Sequence, residues 1–302
     1  MRLSLGPNLF FWERQATLDF YEEMARQPLD IIYLGETVCS KRRALRTEDW
    51  IELARHLHRQ GKEVVLSTLT LIEAESELAT LKRLCENGEF LVEANDLAGV
   101  QLMAERNLPF VTGPAVNIYN HQTLNLLARK GLKRWVMPVE LSRASLQALL
   151  SEVAVSGLRQ QVESEVFSFG KLPLAYSARC FSARAHNLPK DNCQFVCQKY
   201  ADGLPMNSQE GQSFLTINGI QTMSGETYNL LGELDDMKTM GVDIIRLSPQ
   251  STAMEDVIQA FHKGRNGEPG AAFRNDLMPG NPECNGYWHG LPGMDKQSLT
   301  AG

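Results

Sequence analysis

The chain is poor in the features that mark specialised protein classes. Six cysteines in 302 residues are too few for a disulfide scaffold. No uninterrupted apolar run approaches the ~20 residues that a membrane-spanning helix needs, and Met1-Arg-Leu-Ser-Leu-Gly-Pro7 lacks the apolar stretch of a secretory signal. Positive charge is in deficit: 30 Lys+Arg stand against 36 Asp+Glu, a net charge of −6 with a pI near 5.6. That balance gives no basis for nucleic-acid binding or a polybasic membrane patch. Gly-x-Gly-x-x-Gly, a nucleophile elbow and His-Glu-x-x-His are all missing, which removes the usual signatures of a dinucleotide fold, a serine hydrolase and a zinc protease. These absences predict a soluble, cytoplasmic protein whose thiols stay reduced, so that grouped cysteines read as ligands.

What is present begins with an ordinary globular composition, 43% hydrophobic and 22% charged, enough for a large core. Strand-like and helix-like segments alternate. Arg2–Leu5 reads as a strand, followed by a helix with Leu18, Tyr21 and Met24 on one face. Asp30–Leu34 is a second strand. Thr47 is placed as the N-cap of a helix whose Trp50, Leu53, Ala54 and Leu57 recur at i, i+3, i+4 and i+7 before Gly61. Glu63–Leu66, Glu89–Val92, Pro109–Val111, Arg134–Met137 and Gln161–Phe167 continue the series, with a helix capped by Ser142 before the last of these. Val242–Leu247 is the eighth strand, and Met254, Val257, Ile258 and Phe261 mark its helix. Eight strands with helical crossovers predict an α/β protein, a single (β/α)8 TIM-barrel-like domain over 1–302; an open doubly wound sheet is the alternative. Over seventy residues separate strands seven and eight. They predict a cysteine-bearing insertion, 168–212, at the barrel mouth, then a β-prone piece at Phe214–Thr222 and a helix with Tyr228 and Leu231. Residues 265–302 read as an irregular C-terminal tail. Long irregular insertions in compact domains are usually functional.

The insertion carries Cys180, twelve residues, Cys193, three residues and Cys197. Three thiolates this close repel one another unless a cation or cluster holds them. Cys39, in Glu36-Thr-Val-Cys39-Ser-Lys-Arg-Arg43, follows strand two and so belongs to the same rim of a barrel. Four thiolates suit tetrahedral zinc or a cubane iron–sulfur cluster. Scattered ligands favour iron–sulfur modestly. Cys85 falls on an apolar helix face and reads as core. Cys284 is a substitute candidate for Cys39. His56 and His58 point to different faces, and His186 is the one histidine in reach of the cysteines. Lys41-Arg42-Arg43 reads either as a solvated run or as a site for an anionic ligand beside the metal centre. Among carboxylates that follow strands (Glu36, Glu93 with Asp96, Glu140, and Glu163 or Glu165), Glu36 is the candidate for substrate or supporting work. Arg179, next to Cys180, is the candidate anion or sulfide contact.

The segments Tyr33-Leu-Gly-Glu-Thr-Val-Cys39-Ser-Lys-Arg-Arg43, Leu172-Pro-Leu-Ala-Tyr-Ser-Ala-Arg-Cys180-Phe and Asn218-Gly-Ile-Gln-Thr-Met-Ser224 resemble the ubiquinone-biosynthesis members of the collagenase-like peptidase family. Met137-Pro-Val-Glu-Leu-Ser-Arg143 and Cys284-Asn-Gly-Tyr-Trp288 extend the resemblance nearly end to end. It implies a [4Fe–4S] cluster on Cys39, Cys180, Cys193 and Cys197, and a heterodimer with a cluster-bearing paralogue, UbiU. It further implies oxygen-independent hydroxylation of the ubiquinone ring, on a precursor lipid delivered by a lipid carrier protein. The peptidase branch's Glu-x-Phe-x-His-Gly run reads here Glu165-Val-Phe-Ser-Phe169-Gly170, without the histidine and the cysteine that follows it. Proteolysis by a zinc-dependent peptidase therefore ranks low. A cluster-bearing structural or assembly subunit is the competing class.

Overall fold

The computed structural model describes residues 1–155, 157–268 and 282–297. Strands β1 (Arg2–Leu5), β2 (Ile31–Leu34), β3 (Glu63–Ser67), β4 (Leu91–Ala94), β5 (Phe110–Thr112), β6 (Leu132–Val136) and β7 (Glu163–Gly170) lie side by side in parallel. In the insertion come β8 (Pro173–Tyr176), β9 (Leu204–Asn207), β10 (Ser213–Asn218), β11 (Gln221–Ser224) and β12 (Thr227–Asn229). The strand β13 (Ile244–Leu247) pairs with both β1 and β7 and closes an eight-stranded parallel barrel. A last strand, β14 (Glu283–Cys284), pairs with β12. The (β/α)8 expectation holds; the open-sheet alternative does not.

The barrel strands are buried on both faces because one face meets the barrel interior and the other meets the helices. Ile31, Tyr33, Val65, Val111, Val136 and Ile244 form the inner cluster. Ile32, Leu34, Val64, Leu66 and Ile245 belong to the larger core shared with the helices. Around the strands run α1 (Arg14–Ala25), α2 (Thr47–Arg59), α3 (Glu75–Cys85), α4 (Leu97–Glu105), α5 (His121–Ala128) and α6 (Arg143–Val155). A short α7 (Phe181–Ala185) lies in the insertion, and α8 (Leu234–Met240) and α9 (Met254–Arg265) complete the set. The expected apolar face of α6, Leu146, Leu149, Leu150 and Val153, is buried, and Ser142 Oγ accepts the Ser145 N–H at 3.2 Å. At α2 the expected cap shifts by one residue. Thr47 is helical, and Asp49 accepts the Arg46 N–H at 2.8 Å, so the carboxylate reaching back defines the helix start.

The insertion folds on itself. Strands β8-β11-β10-β9 form an antiparallel sheet of their own. Strand β7 runs through Gly170, and the insert's sheet extends through Ser224, so residues 168–170 are barrel and the insert passes beyond 212. The β-prone piece at Phe214–Thr222 is two strands, β10 and β11, turned at Gly219 with φ 66°. Tyr228 lies on β12, paired antiparallel with the end of β7, and the helix starts only at Leu234. Pairing with the end of β7, and not the helical period expected, decides the conformation at Tyr228. In the tail, α9 continues to Arg265, β14 adds an edge to β12, and Trp288 is fully buried; tail residues 269–281 and 298–302 lie outside the described residues.

Candidate thiol centre at the barrel mouth

The insertion lies against the carboxyl-terminal end of the barrel, where loops after the strands meet. Tyr176 of β8 bonds Gln221 at 2.8 Å and reaches Thr70 after β3. Trp12 Nε1 donates to the Ala201 carbonyl at 2.7 Å, and Asn218 Nδ2 donates to the Leu9 carbonyl at 2.7 Å. Leu9, Phe10, Trp12 and Val38 from the barrel loops pack with Ile220 and Met223 of the insert, and Cys39 and Cys180 lie against this apolar cluster.

All six cysteines are free thiols. Cys39, Cys180, Cys193 and Cys197 are half-buried and electrostatically linked: Cys39 senses Cys180, and Cys197 senses both Cys180 and Cys193. The chain fold thus brings the remote Cys39 near Cys180 of the insertion. Cys180 is the N-cap of α7, its sulfur accepting the Ala183 N–H at 3.4 Å. Burial pushes the Cys39 thiol up, while the Lys41 backbone N–H bonded to its sulfur and the Arg42 charge draw it down. Burial likewise raises Cys197, opposed by the charge and a hydrogen bond of Arg42.

Among the described residues, no three His, Cys, Asp or Glu side chains stand together closely enough to hold a metal ion as placed. The donor chemistry nevertheless fits a soft, thiolate-held group. Four thiols and no carboxylate or imidazole form the set; the Cys180 sulfur receives the Ala183 N–H, and the Lys41 backbone and Arg42 draw down the Cys39 and Cys197 thiols. Such donors stabilise thiolates and tune a bound centre.

Arg42 organises the surroundings. Its side chain is 1% exposed. Nη1 donates to the Leu9 carbonyl at 2.8 Å and Nη2 to Asn218 Oδ1 at 2.6 Å. The guanidinium stands 3.9 Å from Glu36 Oε1 and 5.7 Å from the Phe11 ring centre. Glu36 accepts the N–H of Val38 at 2.9 Å and of Cys39 at 3.0 Å, which fixes the loop carrying the thiol. Burial raises the Glu36 pKa, and Arg42 with the two N–H groups opposes the shift. The basic run therefore divides into three separate roles. Lys41 binds the Lys190 carbonyl at 2.9 Å, Arg42 is buried at the thiols, and Arg43 is exposed. Arg179 is exposed, with its backbone N–H on Ser177 Oγ at 3.3 Å; the guanidinium beside a thiol belongs to Arg42.

The remaining cysteines and histidines lie elsewhere. Cys85, the last residue of α3, is buried in the core, its thiol pushed up to about 11 by burial. Cys284 is buried on β14 beside Tyr228, its thiol pushed up to about 12 for the same reason. His186 bonds Tyr200 at 3.0 Å, and His56 pairs with Glu22 at 2.8 Å. Metal-free native protein treated with iodoacetamide near neutral pH is expected to be alkylated at the half-buried Cys180 and Cys193. Cys85 and Cys284 stay unmodified until denaturant is added. Peptide mass mapping checks this; labelling of Cys284 as fast as Cys193 contradicts the assignment.

The carboxylates divide differently from expectation. Asp96 caps α4 through the Ala98 N–H at 2.7 Å, and Glu140 accepts the Tyr119 hydroxyl at 2.5 Å. Glu163 and Glu165 do not follow β7; they lie in its first three residues, because the strand begins later and runs longer than its apolar stretch implies. Glu165 is fully buried within the barrel. It accepts Ser4 Oγ at 2.6 Å, Tyr33 Oη at 2.5 Å and Arg246 Nε at 2.8 Å. Arg246 Nη1 meets Glu93 at 2.8 Å, and its guanidinium lies 4.0 Å from the Tyr33 ring centre. Above this network a cavity of about 30 Å³ is lined by Thr37, Glu93, Asn95, Tyr176, Arg246 and Ser248, large enough for water and little else. Sequence reasoning did not single out these buried groups as a network. The available signal was a lone arginine inside Ile244-Ile-Arg246-Leu247, a charge where a buried barrel strand should be apolar.

The sequence profile described as Peptidase family U32 matches residues 17–264. Among solved structures, the U32 peptidase Mk0906 is 12% identical, with 83% of this chain and 93% of that chain covered at a TM-score of 0.43. Dihydropteroate synthase from Thermus thermophilus is 14% identical over 86% and 93% of the two chains at 0.42. That enzyme from Anaplasma phagocytophilum is 8% identical over 88% and 97%, also at 0.42. Likenesses this distant carry no argument about activity.

Proposed function

The chain belongs to peptidase family U32, and from that premise we propose that it is a redox subunit of the UbiV type and not a protease. In this proposal Cys39, Cys180, Cys193 and Cys197 hold a [4Fe–4S] cluster, and the chain pairs with the UbiU paralogue. Together they hydroxylate the ubiquinone ring without O2, on a precursor lipid brought by a carrier protein. The observation that carries the reading is the gathering of four reduced thiols from three separate segments beside one buried guanidinium.

When bound, the cluster supplies one-electron transfer at a potential set by charge and hydrogen bonds around its sulfurs. The chain's own residues supply the rest. The N–H groups of Lys41 and Ala183 and the Arg42 guanidinium hold thiolate charge. Leu9, Phe10, Trp12 and Ile220 keep water from one side. Glu36 holds the Cys39 loop in place. The position that carries histidine in the peptidase branch is Phe169, fully buried with its ring 5.9 Å from Phe261, where it offers no proton donor or acceptor.

Anaerobic purification with a visible spectrum and iron and sulfide analysis tests the proposal. The expected product is brown, with a broad band near ~400 nm and about four irons per chain, and Cys39→Ala loses both. A colourless, zinc-loaded protein that cleaves peptides overturns it.

A further inference from the structure

Outside the thiol centre, a pocket of about 530 Å³ lies between α2 and α3, at the rim where β2 and β3 end. Its size falls in the range of small-molecule sites. One wall is apolar: Leu45 and Leu81 are buried, and Trp50, Ile72 and Leu84 are half-buried. The charged groups around it are unequally committed. Glu36 accepts two backbone N–H groups. Glu77 accepts the N–H groups of Glu73 and Ala74 and a bond from Ser40. Glu48 faces Arg83 at 3.7 Å. Arg42 is engaged by Leu9 and Asn218. Arg43 has no ion-pair partner among the described residues, and Arg46 shares Asp49 with Arg14, which binds both carboxylate oxygens at 2.7 and 2.9 Å. The lining carboxylates are satisfied and two lining arginines are not, so the pocket carries spare positive charge over an apolar wall.

We propose that this pocket binds an amphipathic anion, its apolar body against Leu45, Ile72 and Leu81 and its anionic group met by Arg43 and Arg46. The lining includes Glu36, Ser40 and Arg42, from the segment that carries Cys39. A bound molecule therefore rests against the loop of the thiol centre. The inference does not depend on which metal group the thiols hold.

The test uses two fluorescent probes on the full-length, anaerobically purified chain: 8-anilinonaphthalene-1-sulfonate, apolar and anionic, and N-phenyl-1-naphthylamine, similar in shape and neutral. Both bind at one site. Arg43→Glu with Arg46→Glu weakens the sulfonate about tenfold or more, the scale of about 1.4 kcal/mol, and changes the neutral probe less than about twofold. Thr80→Trp or Ile72→Trp, each placing an indole in the pocket lining, removes both probes. Arg129→Glu with Lys130→Glu, which reverses the basic pair at a separate surface depression, changes neither. Far-UV circular dichroism confirms that each variant is folded, and either filling variant suffices. No binding to wild type, sulfonate affinity within about twofold in the reversed variant, or retention of both probes in a folded filled variant overturns the proposal.

Discussion

Arg246→Met lowers the stability of the barrel by about 3–5 kcal/mol, the range for removing one partner of a buried ion network. The guanidinium is 4% exposed and faces two carboxylates that are fully buried, Glu93 at 2.8 Å and Glu165 at 2.8 Å. Methionine fills much of the volume, so the loss is electrostatic and not a cavity effect. Two negative charges then share the barrel interior with Arg134, whose Nε is 3.9 Å from Glu165 and whose terminal nitrogens serve Glu63, Glu163 and Tyr33. Anaerobic urea unfolding measures the shift. Adding Glu93→Gln and Glu165→Gln to the variant restores much of the loss, because a neutral polar interior no longer carries uncompensated charge. A single variant as stable as wild type would show that the network is not electrostatically coupled.

The pH dependence of that loss has a defined sign. Burial alone raises the Glu165 pKa, but the charges of Arg246 and Arg134 and its hydrogen bonds hold it below the ordinary value in the fold. Its contribution in wild type is therefore present above the unfolded carboxylate pKa and fades as pH falls through the lower folded value. Without Arg246 the balance reverses: burial dominates, the folded carboxylate takes up a proton more readily, and the penalty is relieved as pH falls. The stability gap between wild type and Arg246→Met accordingly narrows from mildly alkaline towards mildly acid pH.

The barrel was legible because its signal is repeated. Doubly buried strands and period-3.6 helices recur along the chain, and each supports the same topology. Cys39 follows β2 and the insertion cysteines follow β7, so that topology alone puts both segments on one rim. What escaped was set by contacts between distant segments. Nothing local distinguishes Lys41, Arg42 and Arg43, yet Arg42 alone is buried, because Leu9, Glu36 and Asn218 converge on it. Tyr228 reads as helical for a related reason: a three-residue strand has too few residues to show its period, and only pairing with β7 and β14 reveals it.

Arg42→Met is expected to weaken retention of the proposed cluster by ~10–100-fold, the usual cost of losing a group that orients metal ligands. The side chain joins four parts of the molecule. It donates to Leu9 of the first loop and Asn218 of the insert, offsets Glu36, and draws down the Cys197 thiol. Gly219, at the hairpin turn, permits this approach: a Cβ there would lie 2.8 Å from Arg42 Nη2. Methionine leaves the Leu9 carbonyl with the Asn218 amide alone, leaves Glu36 a half-buried carboxylate without its cation, and removes a positive charge from the thiols. Lysine keeps the charge but cannot donate in two directions from a planar head, so Arg42→Lys retains an intermediate amount. Iron-to-protein ratios after anaerobic desalting, read beside far-UV circular dichroism, separate loss of the centre from loss of the fold. Arg179→Met is the informative companion. Its exposed side chain predicts unchanged iron, whereas equal losses in the two variants would place the sulfur-side cation at Arg179 and not at Arg42.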